Sequence, residues 1–139
     1  MGQDFGASDW VTVGQDRIEA FADATRDHQW IHVDVERARA ESPYRSTIAH
    51  GFLTLSLIPA LSKANYRVDN AKMGINYGLN KVRFLAPVPA GSRVRVRSEL
   101  IDANKVDDTT VDLTVRHTVE LDGSVKPAAV AELIARMVF

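Results

Sequence analysis

The sequence has no cysteine among its 139 residues. Disulfides, thiolate metal centres and a cysteine nucleophile are therefore excluded. It also has no excess of one charge: 17 basic and 18 acidic side chains leave a net charge of −1. A phosphate-binding surface wants a basic surplus, so nucleic acid is not the expected partner. There is no internal repeat, no low-complexity tract and no linker, so residues 1–139 read as one domain. No apolar run approaches the roughly 20 residues that span a bilayer. The opening MGQDFGASDW has no basic segment followed by an apolar one, which predicts a cytoplasmic protein. Met-Gly is not followed by an acylation pattern, because Phe5-Gly6 stand where Ser or Thr belongs. What remains is ordinary for a globular chain, 45% hydrophobic and 25% charged.

The stretch His50–Ser62 (HGFLTLSLIPALS) organises the rest. Phe52, Leu53, Leu55, Leu57, Ile58, Ala60 and Leu61 cover nearly the whole circumference of a helix. A helix apolar all round is expected to be buried. Pro59 lacks a backbone donor and predicts a kink or an early end to the regular part. The only polar start is His50-Gly51, where free N–H groups can hold a developing negative charge.

Around it, Trp10–Val13 reads as a short strand, and Ile18, Phe21, Ala22 and Thr25 fall at helical spacing from Gln15 onward. Asp27–Val33 has neither period and reads as a structured loop. Asp34 caps a short helix over Asp34–Ala40. After Asn65 the pattern becomes β. Met73–Tyr77 and Lys81–Leu85 alternate in part, Arg93–Asp102 and Thr109–Leu121 alternate well, and Ala128–Val138 is the last strand. Asp122-Gly123 marks a hairpin. His117 alternates with Val115 and Val119 and is read as a surface residue. Arg93, Arg95 and Arg97 form a row read as a solvated face, with contact to an acidic carrier or a nucleotide as the alternative. The class is α+β: an antiparallel sheet of about five strands wrapped around one buried helix, the hotdog architecture. An open sheet edge is a liability that edge pairing between two copies removes, so a homodimer is expected.

Asp27-His28-Gln29-Trp30-Ile31-His32 is the informative loop. A carboxylate and an imidazole five residues apart, next to the start of the buried helix, are the minimum set for general acid–base work with an oxyanion donor. Asp27, His28, His32 and His50 also admit a metal reading. The loop is not helical and there is no HExxH pattern, so no metal is expected.

These segments resemble the MaoC-like dehydratases, the hotdog family that includes the (R)-specific enoyl-CoA hydratases. The family pattern Gly-Asp-x-Asn-Pro-x-His matches Arg26–His32, its Ala-His-Gly-x-Leu run matches Ala49–Leu53, and its Val-Arg-Phe strand followed by Pro-Val matches Val82–Val88. The Gln-Trp-Ile-His variant resembles most the nodulation protein N-like branch. The resemblance implies hydration of a 2-enoyl thioester to a 3-hydroxyacyl thioester. Asp27 and His32 would then activate water, Gly51 would bind the thioester oxygen, and Gln29 and Ser56 would orient the site. His50, Phe52 and Trp30 fall to substrate binding, with Leu55 as a further wall of an acyl tunnel. Arg83 and, secondarily, Lys81 would meet CoA phosphates. The thioester, on CoA or on an acyl carrier protein, is then the substrate and no cofactor is implied. Arg26 replaces the family Gly, and a positive φ there would strain it; Trp30 replaces the family Pro. A non-catalytic acyl-binding module, a subunit of a heterodimer and a thioesterase are the other functions considered.

Overall fold

A computed structural model describes residues 2–139. In chain order the elements are β1 (Gln3–Ala7), β2 (Val11–Val13), α1 (Gln15–Thr25), α2 (Trp30–Val33), α3 (Val35–Glu41), α4 (Gly51–Ser56), α5 (Ile58–Ser62), β3 (Met73–Phe84), β4 (Ser92–Asp107), β5 (Thr110–Leu121) and β6 (Ala129–Val138). All strand pairs are antiparallel, in the order β1-β4-β5-β6-β3, with β2 also on β4. Thus β1 and β2 lie end to end along one edge of β4, and Ser8 bridges the gap by exchanging hydrogen bonds with Val96. Six strands therefore fill five lanes.

The sheet curls over α4 and α5. Leu53 and Ile58 from these helices pack with Val88, Val94, Val96, Val119, Ala129 and Ala131, and Val13 and Ile18 close one end. The helix breaks at Leu57, two residues before Pro59. Proline has no N–H to continue the ladder, so the regular part ends a turn early. The expectation of burial all round is not met within one chain. Phe52, Ser56 and Ala60, spaced four residues apart, form an exposed stripe, and Phe52 is 67% exposed. The uncovered stripe faces the side where β3 ends the sheet: Ser56 and Leu55 share a pocket with Tyr77 and Leu79.

Four local readings change in the structure. β1 is a strand despite showing no alternation; it pairs through its backbone with a register shift at Asp4/Gly6. The loop Asp27–Val33 contains one helical turn, α2. The two halves of β3 are one strand, whose phase is shifted twice, between Asn76 and Gly78 and between Leu79 and Lys81. His117 is fully buried rather than on the surface. It shares a strand face with Val115 and Val119, both inward, and accepts that face's environment. The arginine row is tied across strands: Arg93 to Asp122, Arg95 to Glu120 at 2.6 Å and Arg97 to Asp4 at 3.6 Å.

His117 Nδ1 meets Ser98 Oγ at 2.9 Å, and Asn65 Nδ2 donates to that same oxygen at 2.9 Å. Its Nε2 is buried with no partner among the described residues. Burial pushes the imidazole down to about 4 from its ordinary 6.5. Above pH 6.5 the ring is neutral in folded and unfolded chains alike, so it contributes no pH dependence there. Between 6.5 and 4 only the unfolded chain takes the proton, so stability falls as pH falls. The loss reaches about 3 kcal/mol at the lower end. Urea unfolding of wild type and His117→Gln should therefore diverge: the wild type loses stability more steeply between pH 6.5 and 4.5. Parallel pH profiles would contradict this placement of the acid sensitivity.

Candidate active site

Arg26 ends α1 in the left-handed region, with φ 65° and ψ 22°. That turn reverses the chain and starts the segment carrying Asp27. Gln29, extended at φ −55° and ψ 139°, then opens α2. One helical turn later His32 points inward and is 7% exposed. The strand-like segment Thr47–Ala49 runs past it, held by Ile48 N–H donating to Ile31 O at 3.0 Å and Ala49 N–H donating to Val88 O at 2.8 Å. His50 follows as the residue before α4, extended at φ −59° and ψ 139° and 2% exposed.

The two imidazoles stack, with centroids 3.8 Å apart and planes 23° from parallel. Each donates to the main chain of the other's segment. His32 Nδ1 lies 2.7 Å from Ile48 O, and His50 Nε2 lies 2.9 Å from Asp27 O. A carbonyl only accepts, so Nδ1 of His32 and Nε2 of His50 carry the protons. That leaves Nε2 of His32 without a chain partner. His50 Nδ1 is buried without a partner among the described residues. Burial, chiefly, lowers the His32 pKa, with His50 adding to it; the Ile48 carbonyl and Asp27 pull the other way. A lowered value keeps His32 neutral near pH 7, able to accept a proton.

Asp27 presents its carboxylate from the exposed side of this pair. A carboxylate oxygen of Asp27 and one nitrogen of each imidazole all lie within 4.8 Å of one another. The contact from the chain to that carboxylate is long, from Gln29 N–H at 3.4 Å. Two segments thus converge: an exposed acid and a neutral base from Asp27–His32, and the buried imidazole of His50 from the start of α4. His28 is not among them; it pairs with Asp23 at 2.9 Å on the surface.

His32 and Gly51 line one pocket of about 320 Å³, together with Tyr44, Thr54, Phe84 and Pro87. As the first residue of α4, Gly51 has an N–H with no helical acceptor. A Cβ at Gly51 would stand 3.2 Å from three atoms of the Phe84 ring. Glycine therefore lets Phe84 lie over the helix start. Phe52 turns away, 67% exposed, with its ring edge-on to Phe84 at 6.0 Å.

The remaining sequence candidates spread out. Ser56 is not brought to the acid–base cluster. Its hydroxyl donates to Phe52 O at 2.7 Å, and it lines a separate apolar pocket of about 270 Å³ with Leu55, Ile58 and Pro59. Ser56 lies two residues from Thr54, so the two occupy different sides of the helix; buried Thr54, not Ser56, is the α4 hydroxyl in the His32 pocket. Gln29 meets Asp27 through its backbone N–H. Trp30 is half-buried under the Arg37 guanidinium, 4.2 Å from its ring centre. Arg83 is exposed and donates to Val82 O at 2.7 Å; Lys81 is exposed on the same strand.

Gln15 was not among the candidates. Its Nε2 donates to His32 O at 2.8 Å and its Oε1 accepts from Thr47 Oγ1 at 2.5 Å. It thereby clamps the α2 turn to the segment leading into α4. An amide at the start of an amphipathic helix carries no signal of such a role.

Comparison with known proteins follows the same outline. Residues 1–121 match the family model described as a MaoC like domain. The 3-hydroxyacyl-thioester dehydratase Z of Mycobacterium tuberculosis (strain ATCC 25618 / H37Rv) is 58% identical over 137 residues, 99% of this chain and 90% of that one. Nodulation protein N of Rhizobium leguminosarum bv. viciae is 46% identical over 140 residues, 100% of this chain and 87% of that one. Among solved structures, the (R)-hydratase from A. caviae involved in PHA biosynthesis superposes with a TM-score of 0.76 at 23% identity, covering 96% of this chain and 93% of that chain.

Arg26 supplies a test of the local geometry. An L-residue with a side chain pays roughly 1 kcal/mol or more for a left-handed backbone that glycine adopts freely. Arg26→Gly should raise unfolding free energy by about 1 kcal/mol, read by urea or thermal melts. An unchanged or lowered stability would mean that Arg26 is not strained in this turn.

Proposed function

The chain belongs to the MaoC-like dehydratase family, and we propose that it is a hydro-lyase that adds water reversibly across a 2-trans-enoyl thioester to give the (R)-3-hydroxyacyl thioester. One observation carries the reading: a carboxylate and a neutral imidazole with Nε2 free of chain partners converge beside the pocket that His32 and Gly51 line.

The reaction needs three things. A base must take a proton from water as its oxygen bonds to the β-carbon. The electron pair of the C2–C3 double bond then moves into the thioester, so its oxygen needs donors. Last, C2 must receive a proton. His32 Nε2 serves as the base, since Nδ1 is committed to the Ile48 carbonyl. Asp27 holds the attacking water, and the proton that His32 takes from it is delivered to C2 through this pair, so both groups end the turnover as they began. Gly51 N–H faces the thioester oxygen, a donor of a kind whose loss costs roughly 3 kcal/mol. Substrate, water and these side chains balance the reaction, so no cofactor is part of the proposal. The acyl carrier is CoA or an acyl carrier protein, and the site is cytoplasmic.

The proposal includes a homodimer. β3 is an edge strand of twelve residues whose Met73, Ile75, Tyr77 and Leu79 are 45–57% exposed. It borders the open stripe of α4 and α5. A long apolar edge invites another strand. A second copy would cover both features and complete the burial that the helix sequence demands.

Two measurements test these statements. Absorbance at the enoyl-thioester band should fall with crotonyl-CoA or a longer 2-enoyl-CoA, with no free thiol released. Asp27→Asn and His32→Ala should each slow it by roughly 100- to 10,000-fold. Near wild-type rates in both variants would refute the assignment; thiol release would point to a thioesterase, and no reaction with any thioester to a binding module. In analytical ultracentrifugation the protein should sediment at twice its 15.3 kDa chain mass. Tyr77→Asp on the β3 edge should shift it toward monomer, and a monomeric wild type would contradict the dimer.

A further inference from the structure

We propose that Gln15 is a positioning residue for His32: its side-chain amide fixes the direction of the imidazole and thereby sets the rate of the chemical step. The inference rests on the reading of His32 as the base of the proposed reaction.

The amide starts from a fixed corner of the fold. β2 lies on β4, Val13 is buried in the core, and α1 begins two residues later. Gly91 N–H donates to Val13 O at 2.7 Å, which ties the same corner to the turn before β4. From there Gln15 reaches two other segments. Its Nε2 donates to His32 O at 2.8 Å, and its Oε1 accepts from Thr47 Oγ1 at 2.5 Å.

A single orientation of the amide satisfies both partners. A carbonyl oxygen only accepts, so the NH2 group must face His32. The amide oxygen then faces the Thr47 hydroxyl, which is 2% exposed and has a proton to give. A flipped amide would set oxygen against the His32 carbonyl.

These partners flank the bond that directs the ring. His32 Nδ1 meets Ile48 O at 2.7 Å, and Ile48 follows Thr47. One side chain therefore holds the residue that donates and the neighbour of the residue that accepts. The two sides differ in what else secures them. Ala90 N–H donates to Thr47 O at 2.9 Å and Ala49 N–H to Val88 O at 2.8 Å, so the Thr47–Ala49 segment has its own anchors. α2 is a turn of four residues, too short to be stable by itself. Gln15 ties that turn to the rigid corner at β2. Without the amide the turn shifts against Ile48, and both ring tautomers become populated. His32 Nε2 then offers its lone pair only part of the time.

Gln15→Glu is the diagnostic variant. It matches glutamine in size and still accepts from Thr47, but it cannot donate to His32 O. Its kcat with crotonyl-CoA should fall by roughly 10- to 100-fold, with KM changed by less than about threefold. Nitrogen-15 NMR of the substrate-free protein should show His32 passing from the Nδ1-protonated tautomer to a mixture. Thr47→Val, which takes away the hydroxyl that orients the amide, should move both readings the same way, and Thr47→Ser should bring both back. Thermal melts confirm folding; if Gln15→Glu does not fold, the two Thr47 variants decide. A folded Gln15→Glu with the wild-type rate, or with an unchanged His32 ring spectrum, would overturn the proposal. A wild type that hydrates nothing would instead refute the reaction, and the ring spectrum, read without substrate, would still decide whether Gln15 directs His32.

Discussion

The site depends on a reciprocal brace. His32 donates to the carbonyl two residues before His50, and His50 donates to the carbonyl of Asp27, five residues before His32. Two segments far apart in sequence are thereby locked in one register, with the rings stacked between them. The brace decides three things together. It sets both tautomers, so the outer nitrogen of His32 is bare. It holds the backbone of Asp27 while leaving the carboxylate exposed. It delivers Gly51 to the start of α4, directly after His50. Gln15 reinforces it by joining His32 O to Thr47. A left-handed Arg26 is tolerable because the residue after it is anchored from outside the turn.

Burial gives the brace its chemical consequence. Removing the imidazoles from water lowers the His32 pKa, with the neighbouring ring adding to the effect. A neutral imidazole with one nitrogen spoken for is a base of defined direction. The same desolvation makes an unpartnered nitrogen on His50 costly.

Much of this was legible in the sequence because it lies in periodicity. Helix α1, helix α3 with its Asp34 cap, and strands β4 and β5 bury one face, and the spacing shows it, while β6 reads as a strand with apolar residues on both faces. β1 pairs through its backbone, so its side chains carry no pattern. β3 changes phase at two irregularities, so one strand reads as two. α2 is a single turn, shorter than any period. His117 is instructive: its spacing with Val115 and Val119 pointed inward, but its polarity suggested water, and the spacing was right. For the site, the resemblance put Asp27, His32 and Gly51 together, and the fold adds what a motif cannot carry, the tautomers and the role of Gln15. Ser56 and Thr54 differ only by helical phase, too fine for a helix apolar on nearly every side. That apolarity itself exceeds what one chain buries, and the surplus lies along Phe52, Ser56, Ala60 and β3.

The brace can be observed without any substrate. Nitrogen-15 NMR of the imidazole rings near pH 7 reads which nitrogens are protonated. The account predicts His32 neutral with its proton on Nδ1, and a proton on Nε2 of His50. A His32 ring protonated on Nε2, or fully charged at that pH, would contradict it, because the nitrogen assigned to water would then have no lone pair to offer.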